Sequence, residues 1–343
     1  MMSRDTLDAR EYRRRYHLAA SALDNVTAMA AMARSPTEAP EYRTHGAAVL
    51  AGRTRLRAAR RIGLLASSMN PLTRAHVALA DAACLTARLD ALAWVATART
   101  IDKEDVERAT LADRLMAARR LARESGDALL LMRDGLYVEQ ARSARALLPT
   151  GVEIMLIVGF DKVVQIFDPH YYDDRDAALR DLFAEAELLV APRGDESEGD
   201  LAALLAQPEN HPFAAHVHFC PLAAEYRGDS SSEARALAAH GRPSRRLRAL
   251  TPPEGLALAL ASNPYAPSHP PAGDDPGDCY SVRQAYIAAR AREPLSGVGA
   301  LPGIGAVTRW CGEPGPRGDA LRRWLHEPLP SLGALRLALA GGG

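Results

Sequence analysis

Six short apolar runs recur between residues 62 and 220, each five to seven residues long: Ile62–Ala66, Ala91–Thr97, Ala128–Arg133, Val152–Val158, Glu187–Ala191 and His216–Cys220. A run of that length, unbroken by polar residues, suits a strand buried on both faces. Between the runs lie segments of helical period. Leu111, Leu115, Ala118 and Leu121 mark one face of a helix over Val106–Ser125. Val138–Leu148, Val163–Phe167, Asp176–Glu185 and Ser232–His240 carry the others. Strand and helix in alternation imply right-handed crossovers and a mainly parallel sheet covered by helices. The expected fold is therefore α/β, a Rossmann-like doubly wound sheet. In such a sheet ligands bind beyond the carboxyl ends of the strands, so the residues just after each run are the ones to read for chemistry.

The first such joint is Ser67-Ser68-Met69-Asn70-Pro71, a turn-forming stretch between the first run and a helical segment. Thr73 stands where an N-cap belongs, and His76 falls in the first helical turn, three residues on. A helix N-terminus with a hydroxyl and an imidazole beside it suits a phosphate group; the plain structural reading is a capped helix with a surface histidine. A similar joint follows the sixth run, where Ser230-Ser231-Ser232-Glu233-Ala234-Arg235 opens a helix with Ser232 as the expected N-cap. Hydroxyls and helix N–H groups there can receive phosphate oxygens, and a guanidinium can grip them in pairs.

These two stretches resemble the signatures of the nucleotidyltransferase superfamily, (H/T)xxH and S-(S/T)-(S/T)-x-x-R. The Thr73 form is similar to that of nicotinamide- and nicotinate-nucleotide adenylyltransferases. Gly159-Phe160-Asp161 after the fourth run resembles that family's G-x-D segment, and Pro192-Arg193-Gly194 after the fifth resembles its arginine loop. Arg114 with Lys103 is similar to a stretch on the family's mononucleotide side. The resemblance covers 61–266. It departs at Ser67-Ser68-Met69, where the family has Gly, a small residue and an aromatic, so a side chain at Ser67 meets a position suited to positive φ or to close phosphate approach.

The resemblance implies an adenylyltransferase joining AMP from ATP to a nicotinamide or nicotinate mononucleotide, with pyrophosphate leaving. His76, Thr73 and Arg235 would be catalytic. Ser67, Ser68, Met69, Ser230, Ser231 and Ser232 would bind the phosphates of ATP. Gly159, Asp161 and Arg193 would bind the nucleotide and its ribose, Asp161 having a helix cap as its plain alternative. Magnesium would come with ATP, without protein metal ligands. Other phosphorylated acceptors and a non-catalytic ATP- or NAD-binding sensor on the same fold stand as alternative functions.

The rest of the chain sets bounds. Lysine plus arginine and aspartate plus glutamate number 42 each, so no net field draws it to nucleic acid or to an anionic membrane. The expected partners are small molecules, with a homo-oligomer left open. No apolar run nears the roughly 20 residues of a membrane span, and the N-terminus is charged where a secretory signal is apolar. The four scattered cysteines read as reduced thiols of a cytoplasmic protein. His211, His216 and His218 lack the further ligands a metal site needs. Residues 1–60 read as a helical extension, and the arginine cluster at its end and into the next run (Arg53, Arg55, Arg57, Arg60, Arg61) reads as a solvated face, with a phosphate contact as the alternative. Residues 267–343 read as an irregular Pro/Gly-rich tail, offering a cover for the site, a contact for a second copy, or disordered sequence.

Overall fold

The computed structural model describes residues 46–97, 109, 111–132, 135–240, 244–256 and 264–267. Its sheet has seven strands in the order β1-β4-β3-β2-β5-β6-β7. They span Ala47–Ala51 (β1), Arg61–Ala66 (β2), Ala91–Thr97 (β3), Ala128–Met132 (β4), Glu153–Gly159 (β5), Glu187–Ala191 (β6) and Val217–Phe219 (β7). All neighbours are parallel except β1, which runs antiparallel to β4. Helices α1 (Arg53–Ala58), α2 (Arg74–Thr86), α3 (Leu111–Ser125), α4 (Tyr137–Leu147), α5 (Phe160–Phe167) and α6 (Arg175–Glu185) fill the connections. They are followed by α7 (Glu198–Leu205), α8 (Ala224–Arg227), α9 (Ser231–Ala239) and α10 (Arg245–Leu250).

The apolar runs are continuous because both sheet faces are covered. Successive residues of β3 divide between two cores: Ala93 and Val95 face one, with Ile62, Leu64, Leu130 and Ile154. Leu92, Trp94 and Ala96 face the other, with Leu65, Leu131 and Ile157. Trp94, 1% exposed, still satisfies its ring nitrogen, which donates to Asp127 Oδ2 at 3.0 Å. The expected face of α3 is buried at Leu115, Ala118 and Leu121.

Residues 47–51 are a strand and not part of a helical extension. The Ala-rich sequence has no periodicity to announce it. Glycines in left-handed conformation bracket it, Gly46 at φ 52° and Gly52 at φ 75°, and β1 covers what would otherwise be the open edge of β4. The sheet therefore begins before residue 61. The arginine cluster behind it is indeed solvated: Arg53, Arg55 and Arg57 are exposed while Leu56 is buried, and Arg55 Nη1 donates to the Gly126 carbonyl at 2.7 Å. The first 45 residues and the tail from 268 lie outside the described residues.

Chain order reverses at the centre of this sheet. From β2 the chain steps through β3 to β4, then returns to lay β5 on the other side of β2 and continues outward through β6 and β7. The crevice of an open α/β sheet lies at such a switch point, here beyond Ala66 and Gly159.

Candidate active site at the β2–β5 switch point

The turn after β2 is held from several sides. The Ser67 N–H continues the strand ladder by donating to Val95 O (3.1 Å). Asn70–Pro71 is a cis peptide, and the positive φ in the turn falls on Met69 (51°), not on Ser67. Arg114 Nη1 on α3 donates to Ser68 O at 2.7 Å. From across the crevice, Arg235 Nη1 donates to Asn70 O and the Ser231 hydroxyl to Pro71 O, both at 2.8 Å. The Tyr265 hydroxyl reaches Asn70 Oδ1 at 3.0 Å.

Thr73 caps α2 as expected, and the three-residue spacing to His76 has a local cause. The two form a capping box in which the Thr73 backbone N–H donates to His76 Nδ1 at 3.1 Å. Thr73 Oγ1 lies 2.7 Å from the same ring atom, and Ser67 Oγ lies 2.8 Å from Nε2. Burial, reinforced by the Arg193 charge, lowers the His76 pKa to about 4. The ring is neutral at physiological pH.

Gly159 caps α5, and a Cβ there would lie 2.8 Å from Asp161 Oδ1. Asp161 faces Arg193 Nη1 at 3.4 Å, tying the ends of β5 and β6 together. One residue on, Lys162 Nζ donates to Gln165 Oε1 at 2.7 Å. The N-cap of α9 is Ser230, whose Oγ accepts from Glu233 N (3.1 Å). This corrects the expected cap at Ser232, whose hydroxyl instead accepts from Arg235 Nη2 at 3.1 Å.

These elements enclose a cavity of about 490 Å³. Ser67, Ser68, Thr73 and His76 form one wall; Gly159, Asp161, Lys162 and Arg193 another; Ser230, Ser231, Ser232 and Arg235 a third. A smaller cavity of about 100 Å³ adjoins it, lined by Thr97, Tyr137, Gln140, Tyr171 and Tyr172. Ala66, Ser67, Ser68, Tyr137, Lys162 and Gln165 line both. Burial raises the Tyr137 phenol above its ordinary pKa, with the Asp161 charge adding to the effect, so its O–H is retained as a donor.

Two expected site residues stand elsewhere, and a third is not described. Met69 is 1% exposed and packs in the core beneath the turn with Leu72 and Trp94, where a flexible thioether fits, so it does not face the cavity. Arg114 is 4% exposed and braces the turn from behind through the Ser68 carbonyl. Lys103 lies outside the described residues. Conversely, Lys162 and the tyrosines of the smaller cavity received no role from the sequence. Lys162 sits within the Gly159–Lys162 stretch and was signalled only by being next to Asp161; the tyrosines become visible only once folding brings α4 and the loop after α5 together.

Cations and hydroxyls dominate the larger cavity, which suits a polyanion. The carboxylates on its wall are committed elsewhere: Asp161 to Arg193, and Asp229 to Arg246 at 2.9 Å. Among the described residues no group of three or more His, Cys, Asp or Glu is placed to hold a metal ion. His216 stacks on Phe183 with ring centroids 5.2 Å apart, and His218 pairs with Glu187 at 3.0 Å. No described helix is long and apolar enough to cross a membrane.

No protein-family model matches the sequence, and no curated protein matches it. Solved structures do. One is Plasmodium falciparum nicotinic acid mononucleotide adenylyltransferase complexed with NaAD, 15% identical, with a TM-score of 0.46 over 60% of this chain and 97% of that one. Another such structure is Thermotoga maritima TmcAL bound with alpha-thio ATP, 13% identical, with a TM-score of 0.34 over 82% of this chain and 74% of that one.

Proposed function

We propose that this chain is an adenylyltransferase that joins the AMP of ATP to a phosphorylated acceptor, nicotinamide or nicotinate mononucleotide. The observation that carries the reading is the pair of adjoining cavities sharing Ser67, Ser68 and Lys162. Two substrates meeting at one phosphorus need that arrangement. The larger cavity, with the α9 N-terminus and Arg235 at one end, takes ATP. The smaller, rich in tyrosines, takes the planar head of the acceptor.

In the reaction an acceptor phosphate oxygen attacks the α-phosphorus. A new P–O bond forms, the bond from the α-phosphorus to the bridging oxygen breaks, and pyrophosphate leaves with the electron pair. The nucleophile is already anionic, so no general base is needed. The protein's contribution is to hold the reactants in line and to stabilise charge on the transferred group. Thr73, His76 and Ser67 line the part of the cavity that takes the α-phosphate. Lys162, between the cavities, neutralises the acceptor phosphate. Ser230, Ser232 and Arg235 receive the departing pyrophosphate, and Arg193 with Asp161 flanks the nucleoside. Magnesium would arrive with ATP, held by the nucleotide phosphates and water, while the wall carboxylates Asp161 and Asp229 stay paired with arginines.

The test is pyrophosphate release from ATP and magnesium with a panel of phosphorylated acceptors. Release is expected with a pyridine mononucleotide, falling by about a hundredfold in Arg235→Ala, the scale of a lost electrostatic stabiliser. ATP binding without release for any acceptor would overturn the enzyme in favour of a nucleotide sensor.

A further inference from the structure

The proton on His76 is already spoken for. Nδ1 accepts the Thr73 backbone N–H at 3.1 Å, so this nitrogen carries no hydrogen in the neutral ring. The single ring N–H is on Nε2, and its partner 2.8 Å away is Ser67 Oγ. A second donor, the Met69 backbone N–H, reaches the same oxygen at 3.2 Å. A hydroxyl oxygen has two acceptor positions and one hydrogen. Both acceptor positions of Ser67 are filled by groups that cannot turn away without breaking the α2 cap or the β2 turn. What remains is its O–H, on a side chain that lines both cavities.

We infer that Ser67, and not His76, presents the hydrogen-bond donor to the transferred phosphate, with His76 acting through it. Ser67 is then a catalytic residue and His76 a positioning residue. The imidazole N–H and the Met69 N–H fix the hydroxyl rotor, so the O–H is aimed before substrate arrives. No proton changes hands: the hydroxyl donates a hydrogen bond to a phosphate oxygen, and the imidazole N–H polarises it from behind, a chained arrangement in which each bond strengthens the next.

This inference rests on the adenylyl-transfer reading, and its test separates the two. Turnover is measured for the wild-type chain, Ser67→Ala, Ser67→Thr, His76→Ala and the Ser67→Ala/His76→Ala double variant. If Ser67 donates, Ser67→Ala lowers kcat by about a hundredfold and weakens ATP binding by about tenfold. Ser67→Thr, which keeps the hydroxyl, retains most of the rate. His76→Ala alone is severe, but adds less than about threefold in the Ser67→Ala background, because two groups acting in series are not additive. Two results overturn the inference: full turnover in Ser67→Ala, or independent losses that multiply in the double variant. If the wild-type chain releases no pyrophosphate with any acceptor, the adenylyl-transfer reading fails, and the Ser67 donor is judged by ATP titration of the same variants. About tenfold weaker binding in Ser67→Ala upholds the donor, and unchanged binding overturns it.

Discussion

Burial and the Arg193 charge hold His76 neutral down to about pH 4, against 6.5 for an ordinary histidine. In the unfolded chain the ring takes a proton as pH falls through 6.5, while in the folded chain it stays neutral. The unfolded state then binds more protons, so stability falls between pH 6.5 and about 4 and levels below that. The expected loss from this residue is on the order of 1–3 kcal/mol. Urea unfolding at pH 7 and pH 4.5, compared with His76→Gln, checks it: the wild type should lose more stability across that interval, and parallel losses would contradict it. Lys162 is tested through kinetics. Removing its charge in Lys162→Met should raise KM for the acceptor by about tenfold or more and leave KM for ATP nearly unchanged, as a place beside the acceptor phosphate requires. Equal changes for both substrates would contradict that place. At this scale Thr73 and His76 were legible because the capping box that stiffens α2 uses the spacing that faces the cavity. Met69 and Arg114 were not, because the direction of a side chain in a turn depends on backbone angles that residue type alone does not set.

Among the elements, residues 253–256 and the site turn touch at close quarters. A Cβ on Gly255 would lie 2.6 Å from the Leu72 carbonyl oxygen, a backbone atom with little room to move. Gly255→Ala should therefore push residues 253–256 away from the turn and cost on the order of 1–3 kcal/mol. Gly228 has open space around its Cβ position, and Gly228→Ala should stay within about 0.5 kcal/mol of wild type. Thermal unfolding of the pair decides it, and equal midpoints would remove the close contact from the account. The central strands β2, β3 and β6 are found where their apolar runs stand, because burial on both faces leaves no polar interruption. The alanine-rich β1 could not be read that way: alanine suits either element, and the strand is fixed by its antiparallel pairing with β4, a partner about 80 residues away. The cap at Ser230 was misplaced by two residues for a related reason. Three consecutive serines can each cap α9, and the choice falls to the bonds that Ser231 and Ser232 make with Pro71 and Arg235.

For the whole molecule, chain reversal between β2 and β5 decides where chemistry is possible. It brings the ends of β2, β5 and β6 and the start of α9 to one cavity, joining residues 67 and 235 across the intervening sequence. The alternation of runs and helices gave the sheet; the reversal needed the strand order, which periodicity does not contain. That convergence underlies the central claim, transfer of the α-phosphoryl group with its nucleoside to a phosphorylated acceptor. The most direct test is to incubate the chain with magnesium, a pyridine mononucleotide and ATP labelled at the α-phosphorus, and to follow the label by chromatography. The label is expected to move into a dinucleotide in step with pyrophosphate release. Label remaining in ATP, or appearing in ADP with release of the terminal phosphate, would contradict it.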